Sequence, residues 1–382
     1  MKSKIIYILL CSFALCTLSV KAQEINSFSS EITELIEKYK AVGLAFVVVK
    51  DNKIIHTEAI GYKNAERGEK LEINNLFRIA SISKSFTATA IMQLVEQGKI
   101  SLDDDFSELI GFPIRNPKFP NTVITLRMVL SHTSSINDKN GYFDFASINP
   151  LINKNWDKSY NDYEPGTDYQ YCNLNFNMAG AVLERLTGTR FDEYIKKQIL
   201  DPLQLNAGYN VNNLDSANFA TIYEYGASSK LFTPQPNAYN PRKEDLENYV
   251  LGVSTPVFSP TGGMKISALD LAKYMMMHQN YGKSGNLRII SKKSAKKMQT
   301  PVSKKKAYGL ALEVRDGILE HGKLVGHTGS AYGLYSSMFF NPKKKFGFVV
   351  ITNGCIAAYD GENLELTKSA IQILYKHFIV KR

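Results

Sequence analysis

The stretch SISK at residues 81–84 decides which fold and which chemistry we expect of this chain. It follows Leu76 to Ala80, which has the composition of a short strand or turn, and it opens the apolar helical pattern of Ser85 to Gln97. Positions i and i+3 of a helix share one face, so the Lys84 amine is expected beside the Ser81 hydroxyl. A serine hydroxyl needs such a base to act as a nucleophile, and N–H groups at a helix start would bind an oxyanion.

The spacing alone is a weak signal, because an ordinary helix-capping serine gives the same pattern. S-x-x-K occurs at Ser81, Ser294 and Ser303. The last two stand in lysine-rich runs, where a match carries no information. Only Ser81 lies between a strand-like segment and an apolar helix. We therefore predict Ser81 as the nucleophile and Lys84 as its base.

A second motif, Tyr171 to Asn173, follows a Glu-Pro-Gly turn signal and precedes a predicted helix. A phenol near a lysine ammonium can have a lowered pKa and could pass the serine proton to the leaving group. The Asn173 amide could hold Lys84 or a substrate amide. Because Tyr-x-Asn also arises by chance, we interpret the copy at residues 62–64 as structural.

A third motif is His-Thr-Gly-Ser at residues 327–330, among predicted strands. Its histidine and threonine could form hydrogen bonds to substrate oxygens or to Tyr171, and its glycine would let a substrate backbone approach an edge strand. The N–H of its serine could join that of Ser81 as an oxyanion hole. The prediction of a site depends on the three motifs occurring together and in this order.

Predicted strands lie near both ends of the chain, and predicted helices lie mainly between them. Strands are predicted at Gly43 to Val49, Lys53 to Gly61, Leu310 to Val314, Leu334 to Phe340 and Phe346 to Thr352. Helices are predicted at Ser29 to Tyr39, Ser85 to Gln97, Thr125 to Leu130, Leu174 to Leu186, Phe191 to Ile199, Ala268 to His278 and Leu364 to Phe378.

We therefore predict an α/β (α+β) fold with one antiparallel sheet built from both termini and flanked by helices. The sheet lobe would cover about residues 25–80 and 305–382, and a large inserted helical lobe about 81–304. The long irregular segments Asn137 to Asp168 and Gly208 to Pro260 are predicted to line a cleft between the lobes.

The first residues have the layout of a signal peptide. Lys2 and Lys4 precede the apolar run Ile5 to Val20, and Val20 to Ala22 resembles a cleavage site. We expect residues 1–22 to be removed and residues 23–382 to be exported, either to the periplasm or as a secreted protein. An uncleaved anchor is disfavoured because a span needs about 20 apolar residues, and lipid anchoring is less favoured.

Charge and cysteine content exclude several classes of function. The formal net charge is +10, much of it in runs such as Lys304 to Lys306, which we interpret as a solvated basic face. No nucleic-acid motif accompanies it, so we predict no nucleic-acid partner. Cys172 and Cys355 are expected as unpaired buried thiols. Neither they nor the six histidines have metal-ligand spacing, so no metal and no cofactor are expected.

Together the three motifs resemble the signature motifs of the class C β-lactamase, D-alanyl-D-alanine carboxypeptidase and serine esterase superfamily. Ile124 to Ser134, Gly262 to Met264 and Tyr308 to Leu310 are similar to further segments of that family, and the resemblance covers about Leu35 to Phe378. It implies a β-lactamase/transpeptidase-like fold. It also implies Ser81 as the acylated nucleophile, Lys84 and Tyr171 as the acid–base pair, and the substrate-binding residues Asn173, His327, Thr328, Gly329 and Ser330.

One departure bears on the substrate. Class C β-lactamases usually carry lysine where this chain has His327, and a neutral histidine is a weaker partner for a β-lactam carboxylate. The resemblance therefore implies a serine hydrolase of the cell envelope that forms an acyl-enzyme on a small ester, an amide or a D-amino-acid peptide. The alternatives are a D-Ala-D-Ala carboxypeptidase, a β-lactamase, an acyltransferase to an alcohol acceptor, and a non-catalytic penicillin-binding sensor. The oligomeric state is left open.

Overall fold

The computed structural model describes residues 27–303 and 305–380. The predicted signal peptide at residues 1–22 lies outside this part of the chain. Within it, none of the helices combines the length and the apolar character needed to span a bilayer.

A seven-stranded antiparallel sheet joins the two ends of the chain, in the order β11-β12-β13-β14-β1-β2-β3. Its strands are β1 Gly43–Lys50, β2 Lys53–Asn64, β3 Glu69–Lys70, β11 Glu313–Arg315, β12 Leu324–Ala331, β13 Leu334–Asn341 and β14 Phe346–Thr352. Shorter strands are β4 Phe77–Arg78, β5 Ala207–Gly208, β6 Tyr223–Gly226, β7 Leu231–Pro234, β8 Lys265–Ile266, β9 Lys283–Ser284, β10 Leu287–Arg288, β15 Tyr359–Asp360 and β16 Asn363–Leu364. The central pairing joins β1 to β14, so the predicted sheet from both termini is confirmed.

The helices begin with α1 at residues 27–39. The others are α2 Ser83–Glu96, α3 Phe106–Ile110, α4 Leu126–Leu130, α5 Asn173–Thr187, α6 Phe191–Ile195, α7 Lys243–Glu247, α8 Ala268–Gln279, α9 Lys292–Gln299 and α10 Glu365–Leu374. Lys196–Leu200 and Tyr375–Val380 continue α6 and α10 as π-helical turns. The helix α9 was not predicted from sequence, because most of its residues are lysine or polar and only Ala295 and Met298 supply a buried apolar face. Its N-cap is Ser291.

Both faces of the sheet are covered, which explains why β1 is an almost continuous apolar run. Leu44, Phe46 and Val48 pack in one apolar cluster with residues of α1 and α10. Ala45, Val47 and Val49 belong to the other cluster, which includes α8 and the helices beyond it. Each fully buried valine or leucine stabilises the fold by about 1.5–3 kcal/mol. The helix α8, from the middle of the chain, thus supplies one layer of the sheet lobe.

Two local predictions differ in outcome. The Asp51-Asn52 turn of the β1–β2 hairpin is confirmed, and both residues have the positive φ that such a two-residue turn requires. The strand predicted at Leu310 to Val314 is wrong in its first half. Ala311 has a φ of 60° and Gly309 N–H donates to Leu312, so the chain turns there and β11 begins only at Glu313.

Candidate active site

The chain enters the site through the short 3₁₀ turn Ala80–Ile82, which runs directly into α2. Ala80 has a φ of 49°, a left-handed conformation that is uncommon for a residue with a side chain. The preceding carbonyl, of Ile79, accepts a hydrogen bond of 2.9 Å from Ser336 Oγ on β13. This contact fixes the turn against the sheet, so Ser81 stands half-buried at a constrained position at the start of the helix.

Lys84 is fully buried and has three polar partners. Its Nζ lies 3.1 Å from Ser81 Oγ, 2.8 Å from Asn173 Oδ1 and 3.0 Å from the Thr261 carbonyl oxygen. Burial lowers the pKa of Lys84 to about 7, although the negative charge of Asp138 acts in the opposite direction. A large fraction of this lysine is therefore a neutral amine near neutral pH. The predicted proximity of Ser81 and Lys84 is present.

Asn173, the first residue of α5, is oriented by Asp138. One carboxylate oxygen of Asp138 accepts hydrogen bonds from the Asn173 backbone N–H (2.8 Å) and side-chain nitrogen (2.9 Å). The other accepts from Leu174 N–H at 3.0 Å. These bonds cap the helix and leave the amide oxygen of Asn173 directed at Lys84 and at the Thr261 hydroxyl. Asp138 was not predicted as a site residue.

Tyr171 lies beside the lysine, with Lys84 Nζ 4.7 Å from the centre of its ring. Burial raises the pKa of its phenol, and the nearby Ser81 hydroxyl offsets only part of the rise. The expectation that Lys84 lowers the pKa of Tyr171 is therefore wrong for the free protein. The phenol oxygen is buried with no hydrogen-bond partner of ordinary geometry in the part of the chain that the structure describes.

A buried histidine supports Tyr171 from behind. His132 Nδ1 accepts a hydrogen bond from Cys172 N–H, and its ring lies 4.4 Å from the Tyr171 ring, centre to centre. Burial holds the pKa of His132 well below its ordinary value, so this ring is neutral. Cys172 and Cys355 are both buried free thiols, as predicted, and the Cys172 thiol donates to Asp138.

His327 is buried on β12 and does not form a hydrogen bond with Tyr171. Its Nδ1 pairs with the Thr328 carbonyl, so Nε2 accepts from the Tyr308 hydroxyl at 3.0 Å; this tautomer is assigned from the partners. Burial lowers the pKa of His327 to about 3. The imidazole is therefore neutral, and its ring lies 6.2 Å from that of Tyr171.

The packing around Gly329 gives a structural reason for a glycine at this position. A Cβ built at this position would lie 2.2 Å from the Ile79 carbonyl oxygen and 2.5 Å from Ser336 Oγ. A glycine is required here because β12 packs directly against the turn that carries Ser81. On one edge of β12, β11 pairs only with Leu324 to Gly326. It therefore does not pair with residues 327–331, whose backbone is left without a β11 partner on that edge.

These groups line a single cavity of about 690 Å³. Its wall contains Ser81, Tyr171, Asn173, Thr261, His327, Thr328 and Ser330. Six further aromatic or charged groups line the cavity at opposite ends of the β12 segment 327–331, because Tyr332 follows Ala331 whereas Glu313 pairs with Gly326. Tyr142 and Tyr332 stand with Arg78 at one end, and Glu313, Arg315 and Glu362 stand at the other. All eight predicted site residues are thus brought to one place: six line the cavity, and Lys84 and Gly329 lie directly behind its wall.

Sequence reasoning missed three residues of the site: Asp138, Thr261 and Tyr308. Asp138 begins a long segment that was predicted only to line a cleft. Thr261 and Tyr308 stand within or beside the Gly-Gly-Met and Tyr-Gly-Leu segments already quoted, which was the available signal. Their partners lie far away in sequence, so no local pattern reveals the contacts.

The beta-lactamase family model matches residues 28–368. The chain belongs to this family. Among curated relatives, Protein flp of Staphylococcus aureus strain MRSA252 is 25% identical over 345 residues, covering 86% of this chain. The chain spans only 63% of the length of that relative. A putative fimbrial assembly protein FimD of Dichelobacter nodosus is 28% identical over 42% of both chains.

Solved structures agree with this beta-lactamase-family fold. The octameric penicillin-binding protein homologue from Pyrococcus abyssi superposes with a TM-score of 0.72 at 27% identity, covering 92% of this chain and 77% of the other. EstCE1, described as a hydrolase with promiscuous acyltransferase activity, gives a TM-score of 0.70 at 21% identity, covering 92% and 99%. The D-amino acid amidase from Ochrobactrum anthropi gives 0.68 at 19% identity, covering 91% and 97%. The last two likenesses concern the fold alone.

Proposed function

We propose that the protein is a serine hydrolase of the cell envelope that acts through an acyl-enzyme on Ser81. The observation that carries the proposal is the set of partners around Lys84 Nζ. Two of them, Asn173 Oδ1 and the Thr261 carbonyl, can only accept hydrogen bonds, whereas the third, Ser81 Oγ, can donate. As an ammonium, Lys84 donates to all three oxygens; as the neutral amine favoured by its lowered pKa, it keeps the bonds to Asn173 and Thr261 and directs its lone pair at the serine hydroxyl.

This arrangement prepares the first half of an acyl transfer. Lys84 accepts the Ser81 proton as Oγ attacks a carbonyl carbon, and the N–H groups of Ser81 and Ser330 would bind the oxyanion. The proton then reaches the leaving group from the Lys84 ammonium through the Tyr171 phenol, which stays protonated because its pKa is raised. Water reverses these steps on the acyl-enzyme.

The substrate class that we propose is a small ester, an amide or a D-amino-acid peptide. Support comes from His327, which is neutral and already bonded to Tyr308, so it offers no fixed cation to a β-lactam carboxylate. We infer that the His-Thr-Gly form of the third motif disfavours efficient β-lactam hydrolysis.

The test is intact mass and product release after mixing with an activated aryl ester, using two matched variants. Ser81→Ala removes the proposed nucleophile. Ser294→Ala removes the serine of another S-x-x-K stretch, which lies in α9 and is not among the residues that line the Ser81 cavity. We expect acylation and turnover to disappear in Ser81→Ala and to persist in Ser294→Ala. Full turnover by Ser81→Ala would refute the proposal.

A parallel incubation with a penicillin separates the alternatives. A lasting adduct on Ser81 would indicate a penicillin-binding, peptidase-like site, and rapid hydrolysis would indicate a β-lactamase. An untouched penicillin together with ester turnover is the result that we expect from a neutral His327.

A further inference from the structure

Arg78 is a nearly buried cation on the wall of the same cavity as Ser81. It lies on β4, three residues before the nucleophile, and is only 8% exposed. Its Nε donates a 3.0 Å hydrogen bond to the Gly262 carbonyl, and its guanidinium carbon lies 5.0 Å from the centre of the Tyr332 ring. Two neighbours therefore hold the planar group in one orientation.

This guanidinium has no acidic partner among the residues that the structure describes. None of the ion pairs among residues 27–303 and 305–380 includes Arg78, and its two terminal nitrogens make no hydrogen bond there. The cations at the other end of the cavity differ, because Arg315 pairs with Glu313 and Lys306 pairs with Glu362. A buried charge without a counter-ion is costly, so an unpaired one that faces a cavity indicates a ligand of opposite charge.

The residue opposite Arg78 is a second basic side chain, so it does not neutralise the charge of Arg78. In the pairing of β4 with β8, Arg78 stands directly across from Lys265, a pairing of like charges that destabilises a sheet. Burial, reinforced by Arg78, lowers the pKa of Lys265 well below its ordinary value. Lys265 is thus driven towards its neutral form and donates to the Tyr209 carbonyl, which leaves Arg78 as the fixed positive charge.

The position of Arg78 identifies the part of a substrate that it would contact. From His327 to Ala331, β12 extends for about 13 Å along the cavity. Tyr171, the proton donor to the leaving group, lies near the His327 end. Arg78 and Tyr332 lie beyond the Ala331 end. A leaving group at Tyr171 therefore places the acyl part of the substrate towards Arg78.

We propose that Arg78 binds a carboxylate on the acyl part of the substrate, so that acidic acyl groups are the preferred substrate class. This inference rests on the proposed function and deepens it. The guanidinium fork suits a carboxylate because it can donate two parallel hydrogen bonds. The aromatic rings of Tyr142 and Tyr332 would flank the methylene chain between the carboxylate and the ester carbonyl.

The test compares esters that differ only in the end of the acyl chain. The probes are mono-p-nitrophenyl esters of dicarboxylic acids from succinic to adipic, each beside a neutral analogue in which an isopropyl group replaces the free carboxylate. The readout is the ratio of kcat/KM for the acidic and the neutral ester. We expect the ratio to exceed one for at least one chain length, and to fall roughly 10- to 100-fold in Arg78→Met.

Two further variants test whether the charge and the position of Arg78 cause the preference for the acidic ester. Arg78→Lys keeps the charge and should recover part of the ratio. Lys306→Met removes a cation from the opposite end of the cavity and should leave the ratio as it is. A ratio that stays constant in Arg78→Met, whether or not both rates fall, would overturn the inference and show a structural role. Turnover of neither ester by the unmodified protein would instead count against the proposed function.

Discussion

Lys84 and Asp138 are linked by a single amide group: Asn173 accepts from Lys84 Nζ through its oxygen at 2.8 Å and donates to the Asp138 carboxylate through its nitrogen at 2.9 Å. The carboxylate is therefore close enough to act on the lysine but forms no direct ion pair with it in the described part of the chain. Burial decides the balance, and the pKa of Lys84 falls to about 7. Asp138 thus positions Asn173, and its negative charge limits how far burial lowers the pKa of Lys84.

The pH dependence of acylation should follow from Lys84. Because its neutral form is the base, kcat/KM is expected to rise as pH passes upward through about 7. Two pH units below that value, about 1% of the lysine is neutral, so kcat/KM should be roughly 100-fold lower. A pH–rate profile with an aryl ester measures this, and Lys84→Met should be inactive throughout. A flat profile from pH 5 to pH 9 would remove Lys84 from the role of base.

Replacing Asp138 should move the same profile. Asp138→Asn removes a negative charge that raises the pKa of Lys84, so the acid limb is expected at lower pH than in the unmodified protein. The substitution also weakens the cap on α5 and should cost about 1–2 kcal/mol of stability, measured by urea unfolding. Asp168→Asn, which removes a carboxylate paired with Lys305, is the matched control. An acid limb that moves upward, or not at all, would contradict the electrostatic role.

The glycine of the third motif gives a test of packing. Gly329→Ala would push a methyl group against the Ile79 carbonyl, so we expect a loss of about 1–3 kcal/mol in the free energy of unfolding. Because Ile79 precedes the Ser81 turn, the displacement should also lower kcat/KM by about 100-fold. Gly208→Ala serves as the control, since a Cβ there meets only ordinary contacts with Leu214 at 3.7 Å or more. Equal free energies of unfolding and equal kcat/KM in the two variants would show that β12 can move to accommodate the methyl group without cost.

Acid should destabilise the fold through its buried histidines. Burial lowers the pKa of His278 and of His327 to about 3, whereas both titrate near 6.5 in the unfolded chain. The unfolded state therefore takes up protons first as pH falls below 6.5, and stability is lost from there towards pH 3. At pH 5 the titration of each histidine lowers the free energy of unfolding by roughly 2 kcal/mol relative to neutral pH.

His278 lies outside the site, so it is suitable for checking this dependence. Urea unfolding of His278→Gln should show a shallower fall in stability between pH 7 and pH 5 than the unmodified protein. An identical slope in the two proteins would mean that His278 titrates normally in the folded state.

Those parts of the fold with local signals could be predicted from sequence. The Asp51-Asn52 turn and the i, i+3 spacing of Ser81 and Lys84 are local, and both are present. The placement of Asp138 and Thr261 could not be predicted, because their segments have no periodicity. Thr261 meets Lys84 across 177 residues of sequence. Only the assembled fold shows that these oxygens converge on one amine.

Errors about electrostatics and packing have the same origin. The Tyr171 phenol was expected to have a lowered pKa because a lysine lies near, but burial outweighs that lysine, and burial is not visible in a three-residue motif. The contact of Gly329 with Ile79 was likewise not predicted, because Ile79 lies about 250 residues away in sequence, whereas Ser336 is its partner in the adjacent strand. In both cases the residue type could be interpreted from the sequence, but the surroundings of the residue could not be predicted.

The pairing of β1 with β14 also bears on how the chain folds. Leu44 is opposite Thr352, so the central ladder of the sheet joins segments about 300 residues apart. Contacts of such separation form slowly, because a long loop must close before any ladder bond offsets its entropy. During synthesis the apolar run Gly43–Lys50 can pair with β2 along one edge as soon as that strand is made, but its other edge has no partner until β14 has been made. For most of its synthesis this chain therefore carries an apolar hairpin with one open edge, where aggregation can begin and where a holding chaperone would be expected to bind.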